Sequence, residues 1–408
     1  MKSKARLLVA AWIFLLLPTL PAYSNQDFCN TFELCRENFQ TAASKWTGAG
    51  TRAKIQTLEI PSRLPRGPLP VELLEIPATA KPRNLVFIIS GVHGAEAFAG
   101  STLQTLFLDV LLPGIDRSHT TFVVVHIVNP YGAVTGRRVT EGNVDLNRNF
   151  STGPGLYKNK NSGYAAISDL LNPAGPARNS LLDVLRFYSG AAIELIRTPL
   201  NVLRSATLEG QYESTKGIYF GGLAPEPIVA RLVPNIIRVI RNTDYERMLV
   251  IDLHTGYGAK GFMHVMPNPL AGSPLVLDRT RLVMKDTLGG YRLEDVAADP
   301  NFYQSTGDLS SFIAAKGMAI GMPSVPLLLE FGTMDSQTIL GSLRSLYCVT
   351  QENRLHWYGA DSLASKNAIQ RDFREMFLPT DPEWQQLVTL QFKENLPGFI
   401  ERFQKADH

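Results

Sequence analysis

His93 and Glu96 stand three residues apart, directly after the apolar run Leu85 to Ile89 and the small residues Ser90 and Gly91. An imidazole and a carboxylate so spaced, where a buried strand gives way to a helix, can converge on one metal ion. The edge at which strands deliver their carboxyl ends is where open α/β sheets bind ligands. This donor set suits zinc. Alone the pair is weak: HxxE recurs by chance, and a glutamate in a first helical turn also complements the helix dipole.

Three later stretches add to it. Asn129 to Phe150, NPYGAVTGRRVTEGNVDLNRNF, leaves an apolar run unusually dense in polar groups. Arg137, Arg138 and Arg148 supply planar cationic donors for a carboxylate or a developing oxyanion, although a solvated basic loop reads the same way. Asp145, between them, could orient a ligand imidazole through its second ring nitrogen. In IDLHTGYG, Asp252 and His254 are two apart and so share one strand face, which makes His254 a candidate third ligand with a fourth position left for water. A strand-end histidine is also a common core residue. In VPLLLEFGT, Glu330 ends an apolar strand, where a carboxylate is costly unless paired with an arginine or acting as a general base.

The elements that must position these groups are legible from the hydrophobic pattern. Leu85 to Ile89, Phe122 to Val128, Met248 to Leu253 and Val325 to Phe331 read as strands covered on both faces. Ile55 to Ile76, broken by prolines, reads as an edge hairpin. Helical spacing runs through Gln26 to Ala43, Phe98 to Leu112, Leu181 to Arg197 and Glu226 to Arg241, while Gly153 to Gly163 is a polar, turn-rich loop. Strands of this kind between helices predict an α/β fold. No polar linker divides residues 25–408, which are expected to form one domain with a helical insertion around 151–245.

In chain order, HGAE, NPYG with a following arginine, VDLNRNF, a strand-borne histidine, YQSTGDLS and LLLEFGT resemble the zinc carboxypeptidase superfamily typified by carboxypeptidase A. The HTGxG after the third histidine is similar to a bacterial branch near the aspartoacylase and succinylglutamate desuccinylase-like deacylases. The resemblance spans about residues 26 to 345. It implies a three-layer α/β sandwich, a mixed sheet of roughly eight strands with helices on both faces. It also implies one zinc ion on His93, Glu96 and His254, with Asp145 supporting His93, and Glu330 as general base and acid. Arg138 or its neighbour Arg137 would polarise the scissile carbonyl, Asn147 and Arg148 would grip a substrate carboxylate, and Tyr303 would be the family's mobile tyrosine. Two departures bear on the substrate: Thr255-Gly256-Tyr257-Gly258 replaces the family's serine-tyrosine, and the helical insertion has no counterpart in the digestive enzymes.

The N-terminus has the three-part form of a secretory signal, with Lys2, Lys4 and Arg6, the apolar Leu7 to Leu17, and Ala22-Tyr23-Ser24, so cleavage near Ser24 and a periplasmic or secreted location are expected. Without those three cations the formal charge of +3 falls to zero, and no basic patch suggests nucleic acid. No other run is long enough to span a membrane. Cys29 and Cys35 are placed for a small-loop disulfide, with Cys348 left free. GYGAKG fits a dinucleotide fingerprint, but Phe262 to Met266 after it reads as a strand where a helix is required. No GxSxG occurs. The expectation is a secreted zinc metallopeptidase, most simply a carboxypeptidase acting on peptides. The alternatives are a deacylase of small N-acyl amino acids, sharing every ligand, and a non-catalytic binding protein that keeps the fold. Oligomeric state is not readable from the sequence.

Overall fold

The computed structural model describes residues 28–48, 50–151, 153, 155–242, 245–267, 291–293 and 307–405. Its strands are β1 (Lys54–Ile60), β2 (Leu69–Ile76), β3 (Asn84–Ser90), β4 (Thr120–His126), β5 (Arg247–Gly256), β6 (Met263–Pro267), β7 (Tyr291–Leu293) and β8 (Ser324–Gly332). They form one mixed sheet in the order β1-β2-β4-β3-β5-β8-β6-β7. β4, β3, β5 and β8 run parallel, and antiparallel partners flank them on both sides. These four are the apolar runs read from the sequence. Every residue of β3, β4 and β5 is buried, which explains why their text is continuous rather than alternating. The edge hairpin is β1 and β2, paired from Lys54↔Glu75 to Ile60↔Leu69.

The helices are α1 (Phe32–Ser44), α2 (Ala97–Leu106), α3 (Pro130–Thr135), α4 (Ser162–Ala166), α5 (Ser168–Leu171), α6 (Leu181–Arg197), α7 (Leu200–Leu208), α8 (Pro227–Arg241), α9 (Leu309–Met318), α10 (Ile339–Tyr358), α11 (Leu363–Phe377) and α12 (Pro382–Lys405). Two apolar cores lie on the two faces of the sheet. One joins Val86, Ile88, Ile251 and Leu329 to α1, α2 and α12. The other joins Phe87, Ile89, Val125 and Val250 to α8 and α9. Each fully buried Leu, Ile, Val or Phe stabilises such a layer by about 1.5–3 kcal/mol. This is the three-layer α/β sandwich expected.

The structure refines several expectations. The entry helix begins at Phe32 rather than Gln26: Thr31 caps it by accepting from the Leu34 N–H at 3.2 Å, and the Cys29–Cys35 disulfide ties the chain ahead of the helix to its first turn. The helix expected to Leu112 holds α geometry to Leu106 and then widens into a π-helical turn, Phe107–Leu111, before Pro113. The stretch expected as an insertion divides. α8 belongs to the layer that covers the sheet, whereas α4 to α7 pack outside it against α10 and α11 around Tyr164, Ile167, Cys348 and Phe373. Within the loop Gly153 to Gly163, Leu156–Lys158 forms a 3₁₀ turn and Asn161 caps α4. Residues 1–27, including the expected leader and its cleavage point, lie outside the described residues, as does Tyr303. No described helix is long and apolar enough to cross a membrane.

Candidate metal centre

β3 is central, with β4 on one side and β5 on the other, so the chain leaves it at a switch point of the sheet. Gly91 makes the turn at φ +67°, and a Cβ there would lie 2.9 Å from the Ile127 backbone. Gly94 and Gly132 then bring two backbones together: a Cβ on Gly94 would meet the Gly132 carbonyl carbon at 2.2 Å. That is the physical content of HGAE and NPYG. The contact seats the start of α3 on the His93 turn. The Arg138 carbonyl accepts from the Gly94 N–H at 3.0 Å and from Asn129 Nδ2 at 3.1 Å, which holds the Arg138 backbone against the same turn.

His93, Glu96 and His254 present donor atoms that all lie within 4.8 Å of one another, and all three residues are buried. The two imidazoles face the same carboxylate. His93 Nδ1 is 2.8 Å from Glu96 Oε1 and His254 Nδ1 is 2.9 Å from Glu96 Oε2. Each ring is backed by a second carboxylate: His93 Nε2 lies 3.0 Å from Asp145 Oδ1, and His254 Nε2 lies 3.1 Å from Asp252 Oδ2. Two Nδ1 atoms turned inward, with a carboxylate beside each outward nitrogen, match the donor set of a zinc site. Asp145 also accepts from the Asn147 N–H at 3.1 Å and from Arg138 Nε at 3.2 Å. Arg138 reaches further, with Nη1 3.2 Å from Glu96 Oε1 and Nη2 2.7 Å from His93 Nε2. That ring nitrogen cannot both donate to Asp145 and accept from Arg138, so the two contacts are alternatives.

Register supplies the fourth member. Glu330 is the direct neighbour of His254 across the parallel β5–β8 pair and of His264 across the antiparallel β8–β6 pair. Its Oε2 accepts a long bond from the Tyr257 N–H, 3.4 Å. Enclosure raises the Glu330 carboxyl to about 7, with His254 opposing the shift. Burial would also raise Glu96, but His93 and His254 outweigh it and hold that carboxyl far below its ordinary range. Asp145 is likewise depressed against its burial, chiefly by Arg138 and then by His93. Burial alone would discharge His254, yet Asp252 and then Glu96 push its pKa well above the ordinary imidazole value. Asp252 itself is raised by burial, with His254 opposing the shift.

The family model described as "Protein of unknown function (DUF2817)" matches residues 28–391. The chain belongs to the DUF2817 family. It is 40% identical over 85 residues to murein peptide amidase A of Escherichia coli (strain K12), a match covering 21% of this chain and 33% of that protein. The chain thus spans about a third of the length of the curated relative it matches. Among solved structures it is similar to carboxypeptidase A from Helicoverpa armigera, at 12% identity and TM-score 0.40, covering 85% of this chain and 73% of that one. It is also similar to murein-tripeptide amidase from Escherichia coli O157, at 18% identity and TM-score 0.33, covering 75% and 93%, and to succinylglutamate desuccinylase from Vibrio cholerae, at 16% and 0.34, covering 85% and 71%.

In this DUF2817 chain the remaining sequence candidates fall in different places. Arg137 and Arg138, adjacent in sequence, diverge: Arg137 Nε donates to Glu352 Oε1 on α10 at 2.6 Å and its Nη2 donates to Asn143 Oδ1 at 3.1 Å. Asn147 lies at the centre, with Nδ2 3.3 Å from His254 Nε2 and Oδ1 accepting from the Leu309 N–H at 3.3 Å. Arg148 is buried beside it and donates Nη1 to the Asn147 carbonyl at 3.0 Å. His264 escaped the sequence reading. It is fully buried, accepts from the Ala259 N–H at 2.9 Å, and packs edge-on to Tyr257. Gly258 turns over that ring at φ +107°, where a Cβ would meet it at 2.2 Å. The pairing of His264 with Glu330 is visible only in register; its one sequence signal was its place in the strand read at Phe262 to Met266.

Proposed function

We propose that this protein is a zinc-dependent hydrolase of amide bonds in peptides, exported by its N-terminal leader, and that the simplest version of the activity is carboxypeptidase cleavage. The observation that carries the reading is the pair of Nδ1 atoms converging on Glu96 within reach of Glu330. His93, Glu96 and His254 would hold the ion. When bound, zinc supplies Lewis acidity, polarising a carbonyl and acidifying a water. Glu330 takes the water's proton and later returns it to the leaving amine. A dication beside Glu330 favours its ionised form and lowers its pKa from the value near 7. With both Nδ1 atoms engaged as ligands, His93 Nε2 carries the proton and donates to Asp145, which leaves the Arg138 guanidinium available to the developing oxyanion.

A second reading, release of a small acyl or amino-acid group by an amidase, is favoured by one observation. Asn147 and Arg148, the expected grips for a terminal carboxylate, are both buried and bonded to neighbouring groups. The test of the common chemistry is Glu330→Gln: turnover should fall about 10³-fold, within the range for a lost general base, while zinc per chain, measured by mass spectrometry, stays the same. Normal turnover in that variant removes the assignment. The two readings separate on substrates with an amidated C-terminus. A carboxypeptidase should lose about 2–5 kcal/mol of transition-state binding, the scale for truncating a desolvated charge pair. Indifference to amidation selects the amidase.

A further inference from the structure

α6 turns an apolar stripe outward. Asp183, Phe187 and Ala191 on its inner face are buried, with Gln351 Nε2 donating to Asp183 Oδ2 at 2.6 Å and Phe187 packing on Tyr347 at 5.1 Å. On the opposite face Leu182, Leu185, Ile193 and Ile196 are exposed, Leu182 by 58% and Ile196 by 86%. A soluble amphipathic helix has its polar residues there.

The spacing of the stripe carries information about what covers it. Measured from the exposed Ser189, the apolar residues sit at −7, −4, +4 and +7. A sequence with that symmetry is its own complement when two copies of the helix run antiparallel about a twofold axis through Ser189. Leu182 then meets Ile196 of the other copy, and Leu185 meets Ile193. Ser189 at the crossing, next to Gly190, is small enough for the two helices to approach closely. With Leu181 the stripe exposes on the order of 500 Å² of apolar surface, about what one side of a standard 1,600 Å² interface contains.

We propose that α6 is a homodimer interface, with a second copy of this chain as its partner in an isologous, antiparallel helix pair. It predicts a dimer of the full-length protein at low micromolar concentration by analytical ultracentrifugation. Leu185→Glu should raise the dissociation constant at least 100-fold without changing the circular dichroism spectrum, because the side chain is exposed. Ser189→Cys should give a disulfide-linked species of twice the chain mass under mild oxidant, since residues at a helix crossing lie within disulfide reach. Cys29 and Cys35 are bonded and Cys348 is buried, so none of the three competes. Glu394→Cys on α12, exposed and remote in sequence, is the control.

A wild-type chain still monomeric at about 50 µM overturns the proposal. So does a dimer that survives Leu185→Glu, or one in which Ser189→Cys links no faster than Glu394→Cys, since either places the contact elsewhere. A monomer that binds vesicles of anionic lipid through the same leucines would identify a membrane as the occupant and overturn it equally.

Discussion

Among the described residues, two buried histidine-carboxylate clusters lie near the same sheet, and they differ in whether donors from several residues converge. Around His126, Ser101 Oγ is 2.8 Å from Nε2 and Glu72 Oε2 is 3.4 Å from Nδ1. Glu72 is itself tied to Arg36 and to Gln40 Nε2, and Phe39 stacks on the imidazole at 4.1 Å. The residue types are those of a serine-histidine-glutamate triad. Yet Ser101 and His126 are wholly inaccessible, and both ring nitrogens are spent on protein partners. Around His93 and His254 every ring nitrogen also lies beside a protein group, but the two Nδ1 atoms turn to one shared carboxylate, Glu96. Residue type and burial are common to the two clusters; convergence of donors from several residues on one point is what separates them.

The largest effect that tests this contrast is on metal content. His254→Ala should reduce bound zinc from one per chain to a small fraction and abolish turnover, whereas His126→Ala should leave both intact; full zinc occupancy in His254→Ala would mean that another group is the third ligand. Stability should respond in the opposite sense. His126→Ala removes a packed ring and strands Ser101, and should cost about 3 kcal/mol in urea denaturation, whatever the zinc content. A loss below about 1 kcal/mol would show that the network around His126 is loosely held.

The smallest and sharpest difference is in pH dependence, measured with chelator present. Burial lowers the His126 pKa. A group depressed on folding contributes stability that is complete above its unfolded value near 6.5 and erodes as pH falls below it. His254 is raised, so its contribution is complete below about 6.5 and is lost as pH rises through the folded pKa. Each proton corresponds to a slope of at most about 1.4 kcal/mol per pH unit. His126→Gln should flatten the acid limb of stability against pH, and His254→Gln the alkaline limb. Limbs that exchange, or that neither variant changes, would remove the difference in electrostatic character between the clusters.

Much of the site was legible because its parts are local. His93 and Glu96 sit on one turn, Asp252 and His254 on one strand face, and Glu330 at the end of an apolar run that had no other reason to carry a charge. The ordered motifs also pointed to the fold, and the strands they adjoin lie where the apolar runs placed them. What escaped depends on pairing between distant segments. Arg137 and Arg138 are indistinguishable as text; a carboxylate 215 residues further on, Glu352, decides which of them leaves the centre. His264 became relevant only through the antiparallel register that sets it beside Glu330. Likewise α8 read as part of an insertion, since nothing in its amphipathic pattern says which apolar surface it covers.

The sequence by itself determined the α/β class, the four central strands, the helix stripe of α6 and the types of the candidate ligands, because periodicity and side-chain chemistry are properties of short segments. Only the tertiary structure decided which donor atoms share a point, which arginine pairs with Glu352, and which buried histidines converge on one carboxylate. Those outcomes follow from strand order and close backbone approach, such as Gly94 on Gly132, and no short segment contains them.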